Sequence, residues 1–289
     1  MAETTLVGVP MYTLSRYSGM GESPRALREA GVARGFGRTF DAGDVRLGQM
    51  RRDRGKANAR NLGRFVKNTE AVRKRLVGLD RTEMTVALGG ECSMVVGVLA
   101  GLAPSARGRV GLVWIDAHGD FNVPATTPSG YIGGMCLAFA CGRGPRLAPG
   151  VDRLMPLVRE DRVAHLGSRS LDGEEEAAMK TSAMKVVPTR ELRKVGAAEE
   201  ARRCARWLDD RADWIVCHFD TDVVDPAYIP AVNYPTPGGL TPDEASAVLR
   251  AFVSSGKLSA LDVAAYNAAL DMQGESGSAL VEIVAKSFR

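Results

Sequence analysis

The sequence predicts an α/β protein: one domain, in three layers, on a mostly parallel, doubly wound sheet. Three observations predict it. Short β-branched runs alternate with amphipathic helical patterns from end to end, 289 residues suit one large domain, and no repeat, linker or low-complexity stretch divides the chain. Strands are expected at Leu6–Val9, Thr85–Leu88, Val110–Ile115, Val163–Leu166, Lys185–Val187, Trp214–Phe219 and Ala260–Ala264. Helices are expected at Asn61–Leu79, Ser93–Leu102, Glu174–Met179, Ala197–Asp209, Thr241–Ser254 and Gly277–Phe288. Apolar strands separated by helices make βαβ units, and right-handed crossovers wind these onto both faces of a parallel sheet. Thr241-Pro242-Asp243-Glu244 places an N-cap, a proline and an acidic first turn in helix-starting order, and Gly256 offers the stop.

Composition narrows the function. With 45% hydrophobic and 25% charged residues the chain is globular, and a net charge of +4 is small for its size. The densest basic run, Arg51, Arg52, Arg54 and Lys56, has no interleaved aromatics and fits a surface loop, so no nucleic-acid partner is expected. The N-terminal MAETTLVGVP lacks the basic and apolar regions of a signal peptide, and no apolar run of about 18 residues suggests a membrane span. Five cysteines, odd in number and without zinc-ribbon spacing, fit reduced thiols and a cytoplasmic location.

The chemistry is concentrated where strands end, which is where ligands sit in such sheets. Asp116-Ala117-His118-Gly119-Asp120 follows one apolar strand, and Asp220-Thr221-Asp222, with Asp225-Pro226 beyond, follows another. Residues i and i+2 of an extended segment share a face, so Asp116 can join His118 and Asp220 can join Asp222. A turn after His118 can return Asp120 to the same point. Four carboxylates meeting at one spot repel one another unless cations neutralise them. Oxygen donors with one imidazole suit Mn²⁺ or a similar ion. Gly89-Gly90 turns the chain after a third strand, bringing Cys92 to the same rim as a soft candidate ligand.

These residues resemble the ureohydrolases, the family of arginase, agmatinase and formimidoylglutamase. The likeness begins with Gly8-x-Pro10 and the Pro24/Leu27-Arg28 stretch. Gly89-Gly90-Glu91-Cys92-Ser93 is similar to the family's G-G-D-H-S, Asp116 to Asp120 to its D-A-H-x-D, and Phe219 to Pro226 to its F-D-x-D-x-x-D-P. Pro237-Gly238-Gly239-Leu240-Thr241 matches P-G-G-L-T. The resemblance implies an arginase-like fold and two Mn²⁺ ions. Asp116 and Asp220 would bridge them, Asp120 and Cys92 would complete one shell, and His118 and Asp222 the other. Asp120 and His118 would thereby serve catalysis: a water activated between ions roughly 3.5–4 Å apart attacks a guanidino or amidino carbon. Family members commonly form trimers or hexamers, so a homo-oligomer is expected.

Three departures bear on the substrate. Cys92 stands where the family has a histidine ligand, and a thiolate weakens preference for Mn²⁺. In the loop Asp120 to Gly134, Gly133 falls on the family's proton-shuttle histidine and Tyr131 on an asparagine that holds the substrate carboxylate. His165 and His218 lie inside apolar strand runs and read as core or supporting histidines, not replacement shuttles. Ala265 falls on the glutamate that pairs with the guanidinium. Asn122, Thr127 and Ser129 keep carboxylate-binding positions, and Gly167-x-Arg169-x-x-Asp172-x-x-Glu175 resembles the segment whose aspartate meets an α-amino group. Asp172 also suits a helix cap. The expected substrate is therefore a small amino-acid-like molecule. The Tyr131-x-Gly133 loop and Cys92 are similar to the Nω-hydroxy-arginine amidinohydrolase branch of D-cycloserine biosynthesis, which belongs to specialised metabolism. Hydrolysis of a guanidino or N-hydroxyguanidino amino acid is the leading expectation. The alternatives are another amidine, formimino or hydrazine-type C–N bond, or a non-catalytic family member.

Overall fold

The computed structural model describes residues 3–13, 17–48, 57–79, 84–103 and 108–289, so the basic run Arg51 to Lys56 lies outside the described residues. The strands are β1 (Thr4–Val9), β2 (Thr39–Asp44), β3 (Met84–Gly89), β4 (Val110–Ile115), β5 (Val163–Leu166), β6 (Lys185–Val187), β7 (Trp214–Asp220) and β8 (Leu258–Ala264). They form one eight-stranded sheet in the order β2-β1-β3-β8-β7-β4-β5-β6, and every pairing is parallel. The predicted strands are all present. β2 was not foreseen: its sequence, TFDAGD, is mostly exposed and has no apolar alternation, as suits an edge strand.

The helices are α1 (Ser23–Glu29), α2 (Leu62–Val77), α3 (Val95–Leu102), α4 (Cys136–Ala140), α5 (Pro149–Asp152), α6 (Gly173–Thr181), α7 (Thr189–Val195), α8 (Ala197–Asp209), α9 (Pro242–Val253) and α10 (Glu275–Ser287). They cover both faces, because alternate residues of each central strand point into different cores. Val7, Ala87, Trp114, Val216 and Ala260 pack with Phe65 and Val72 of α2 and Leu99 of α3. Leu6, Val86, Val113, Cys217 and Leu261 pack with Leu27, Leu208, Leu249 and Leu280 of α1, α8, α9 and α10. Thr241 caps α9 as predicted: its hydroxyl accepts the Glu244 N–H at 3.2 Å, and Glu244 accepts the Thr241 N–H at 2.8 Å.

Parallel order aligns the carboxyl ends of the central strands along one edge. β3, β8, β7 and β4 are neighbours. Their trailing segments begin at Gly90, Ala265, Thr221 and Asp116, so four separated stretches of sequence converge.

Candidate metal centre and active site

Asp116 continues directly from β4, and its backbone N–H still bonds to Leu166 at 3.0 Å. Its side chain is fully buried; Oδ2 accepts the Trp114 indole N–H at 2.9 Å, and Oδ1 accepts the His118 backbone N–H at 2.7 Å. Asp220 ends β7 and accepts the Asp222 N–H at 2.7 Å, which folds the 3-10 turn that carries Asp222. The expected i, i+2 pairs therefore share a face. Crosswise, His118 Nδ1 stands 3.1 Å from Asp222 and 3.5 Å from Asp116. The Cys92 thiol donates to Asp220 Oδ2 at 2.7 Å.

Two donor groups result, each with all ligand atoms within 4.8 Å of one another. One contains Asp116, His118 and Asp222; the other contains Cys92, Asp116, Asp220 and His218. Asp116 belongs to both. Asp120 belongs to neither: its Oδ2 accepts the Cys136 thiol at 3.2 Å, and its backbone adopts φ 47° to complete the turn after His118. His218 entered a donor group that the sequence assigned it no place in, because a histidine inside an apolar strand looks like a core residue until the neighbouring strands are known.

The electrostatics favour a cation. Asp116, Asp120, Asp220 and Asp222 are each at most 7% exposed, and among the described residues none pairs with lysine or arginine. Burial, with Asp116 and other acids adding to it, holds the Asp120 and Asp220 carboxyls well above their ordinary range. Burial also pushes the Cys92 thiol well up, reinforced by Asp220 and Asp120. Burial opposes a charged His118, yet Asp222 and Asp116 beside it lift the imidazole to about 12. A site that gathers protons so strongly is under-supplied with positive charge. Its donors, three buried carboxylates with imidazole and thiol, fit divalent ions.

The pocket above these donors has a volume of about 310 Å³. Asn122, Ser129, Tyr131, Asp172 and Glu175 line it, as do Met20, Leu171, Asn233, Tyr234 and Ala265. Thr127 is not among the lining residues; its hydroxyl accepts the Gly130 N–H at 3.0 Å and pins the loop. Asn122 is committed on both ends, donating to Asp172 at 2.9 Å and accepting from Thr126 at 2.9 Å. Asp172 sits at the N-cap of α6 and also faces the pocket, so the two roles weighed for it coexist. Glu175 is buried and accepts the Phe121 N–H at 2.8 Å, holding the Asp120–Phe121 turn in place.

Tyr131 fills the space over Gly133. A Cβ built on Gly133 would lie 2.5 Å from the Tyr131 Oη, so the tyrosine occupies the room a side chain there would need. Burial and the Glu91 carboxylate push its phenol well above the usual range, which keeps it an O–H donor. Ala265 lines the pocket with φ 65°, a conformation uncommon outside glycine. Tyr234, which sequence reasoning missed, packs against Tyr131 with ring centroids 5.7 Å apart and edges onto His118 at 6.3 Å. The available signal was its place in the loop just before Pro237-Gly238-Gly239. Arg169 was also undervalued. Its guanidinium binds the carbonyls of Asp222 at 2.7 Å and Thr236 at 2.8 Å, tying both loops to β5.

A parallel α/β sheet whose central strands deliver carboxylate, imidazole and thiol donors to one pocket defines a metal-dependent hydrolase. The comparisons narrow the class. The arginase family model matches residues 2–288, and the chain belongs to the arginase family. It is 30% identical to an arginase of Bacillus caldovelox, over 100% of this chain and 98% of that protein, and 28% identical to an arginase of Bacillus subtilis, over 97% and 95%. The solved B. caldovelox arginase superposes with a TM-score of 0.92 at 28% identity, covering 100% of this chain and 98% of that one. Proclavaminate amidino hydrolase of Streptomyces clavuligerus shares the fold at a TM-score of 0.78 and 23% identity, covering 100% and 91%. The chain is thus an arginase-family amidinohydrolase. Among the described residues, no helix is long and apolar enough to cross a membrane.

Proposed function

We propose that the protein hydrolyses the C–N bond of a guanidino-type amino acid whose amidino end is less basic than arginine's, with an N-hydroxyguanidine the best fit. The observation that carries this is the pairing of an assembled donor cluster with a pocket whose guanidinium end presents Ala265 and whose rim presents Tyr131 over Gly133. Cys92, Asp116, His118, Asp220 and Asp222 would hold two divalent ions, Mn²⁺ in the hard-donor position, with Asp120 as a further acid at their edge. When bound, such ions supply a water ionised near neutral pH and polarise the carbon under attack.

The chain's own groups do the rest. A fully cationic guanidinium gains most from a buried carboxylate beside its nitrogens, a contact worth about 1.5–3 kcal/mol. Ala265 offers none, so a less basic substrate, which gives up its positive charge more readily, loses less there. Tyr131, kept protonated, can donate a hydrogen bond to the departing nitrogen without carrying charge. Asp172 and Glu175 make the outer wall acidic, which suits an α-amino group, and Ser129 offers a hydroxyl to a carboxylate. Ala265 also favours a second reading, a neutral amidine or formimino substrate.

The test is to load the protein with Mn²⁺ and offer arginine, Nω-hydroxy-arginine and a panel of neutral amidines, following products by mass spectrometry. Hydroxyurea released faster than urea supports the proposal. Turnover confined to the amidines supports the second reading. Arginine as the best substrate contradicts both.

A further inference from the structure

His218 has a buried nitrogen with no task in the hydrolysis described above. β4, β7 and β8 lie side by side, and their register sets Trp114 opposite His218 and His218 opposite Asp262. The Trp114 and His218 rings stack with centroids 3.8 Å apart. Two residues further on, Asp116 and Asp220 point to the same face. His218 and Asp262 are both fully buried, and His218 Nδ1 hydrogen-bonds the Asp262 carboxylate. A neutral ring with its proton on Nδ1 carries its lone pair on Nε2. That Nε2 is buried without a hydrogen-bond partner among the described residues.

The neighbours of this nitrogen are metal-ligating atoms. A ring nitrogen of His218 lies within 4.8 Å of the Cys92 sulfur and of carboxylate oxygens of Asp116 and Asp220. Nδ1 is engaged by Asp262, which leaves Nε2 for that group. A carboxylate holding the far nitrogen of an imidazole is the usual second partner of a metal-bound histidine, since it fixes the ring's orientation and tautomer. Buried His165 also keeps an unpartnered ring nitrogen, but among the described residues it belongs to neither donor group, whereas His218 does.

We propose that His218 is a metal ligand, completing with Cys92, Asp116 and Asp220 a four-donor site in which Asp262 positions the imidazole. This rests on the reading that these acids bind divalent ions. It makes the two ion positions chemically different. Thiolate and imidazole with two carboxylates suit Zn²⁺, Co²⁺ or Fe²⁺, whereas Asp116, His118 and Asp222 form a harder set suited to Mn²⁺. The Trp114 face on one side of the ring and the Asp262 bond on the other leave His218 little freedom to turn away.

The experiment is a Co²⁺ titration of the metal-free full chain, followed by visible absorption and by equilibrium dialysis, with Mn²⁺ in parallel. The parent, H218N, D262N and C92S are compared. In the parent, the first equivalent of Co²⁺ develops a thiolate charge-transfer band and binds more tightly than Mn²⁺. In H218N the band survives, because Cys92 remains, while affinity for that equivalent falls by more than about 100-fold, since losing only the group behind a ligand typically costs about 10–100-fold. D262N, which leaves the ring in place, gives a smaller loss in the same equivalent. C92S abolishes the band. X-ray absorption of the parent at one equivalent of Co²⁺ shows imidazole scattering together with a sulfur neighbour, and this readout stands even if a variant fails to fold. Unchanged Co²⁺ affinity in H218N, or a sulfur neighbour without imidazole in the parent, overturns the His218 assignment alone. No Co²⁺ or Mn²⁺ bound by the parent overturns the functional proposal as well.

Discussion

Asp220→Asn should raise the stability of the metal-free protein and lower that of the metal-loaded one. The side chain is 2% exposed, and asparagine has the same shape and keeps the oxygen that accepts the Asp222 N–H at 2.7 Å. What the substitution removes is a buried acid that has Asp116 and Asp222 close by. Burial, with those acids adding to it, raises the folded-state pKa of Asp220 above its ordinary value. The folded protein therefore holds a proton that the unfolded chain releases near pH 3.8. The sign follows: native stability drops as pH rises above 3.8, up to the folded pKa. Near pH 8 asparagine abolishes that loss. Replacing poorly compensated buried charge has stabilised other proteins by about 1–4 kcal/mol, and about 2 kcal/mol is expected here. For a chain of this length, each kcal/mol moves Tm by about 2 °C, so the metal-free variant should melt about 4 °C above the parent. Metal reverses the order. At a hundredfold excess over its Kd, one bound ion stabilises the parent by about 3 kcal/mol, or about 6 °C, while the variant has lost a ligand and gains little. Scanning calorimetry at pH 8, in chelator and then in Co²⁺, which suits the group containing Asp220, reads both signs. A variant that melts below the parent in chelator and rises as much with Co²⁺ would refute the electrostatic account of this site.

Other perturbations have equally definite outcomes. Tyr131→Phe keeps the ring but removes its hydroxyl; kcat should drop by about 10²-fold with KM little changed, and an unchanged kcat would show that the hydroxyl donates nothing in the transition state. Gly133→Ala sets a methyl 2.5 Å from the same hydroxyl and must displace the ring, so its kcat should fall at least as far, checked by steady-state kinetics on the best substrate. Burial depresses His165 to about 4. Its folded pKa lies below the unfolded 6.5, so the folded state binds fewer protons in that window, and stability is lost as pH falls from about 6.5 to 4. The full effect is about 3 kcal/mol, and urea melts of His165→Gln should show a flatter acid limb than the parent. Arg169→Lys cannot span the carbonyls of Asp222 and Thr236; it should cost about 3 kcal/mol in denaturant melts and weaken metal retention, whereas full retention would mean the clamp does not hold Asp222 in place.

The parts legible in the sequence were those whose physics is local. A strand buried on both faces reads as an apolar run, so β4 and β5 appear with the expected bounds and the other central strands within two residues, while the short, partly buried edge strand β6 was also placed with its observed bounds. An exposed edge has no such signature, and β2 was missed. Its acids Asp41 and Asp44 pair with Arg28 at 2.7 and 2.6 Å, a long-range contact that no window of sequence displays. Short helices such as α4 and α5 are too brief for a period to register. In the site, Asp116 with His118 and Asp220 with Asp222 were visible because strand geometry alone puts i and i+2 on one face. The partnership of His218 with Asp262 depends on which strands are neighbours and in what register, and β7 meets β8 only after a long excursion through α9. Tyr131 was recognised as a departure, but that its ring occupies the space over Gly133 follows from a fold of the loop that spacing does not specify.

The most direct measurement is the metal content of the purified chain after saturation with Co²⁺ and Mn²⁺ together and dialysis, set beside Asp116→Ala. Asp116 is the one residue common to both donor groups. The parent should retain two ions per chain and the variant should lose both. A parent that holds none, or a variant that still holds two, would mean that these buried acids do not meet around cations at all.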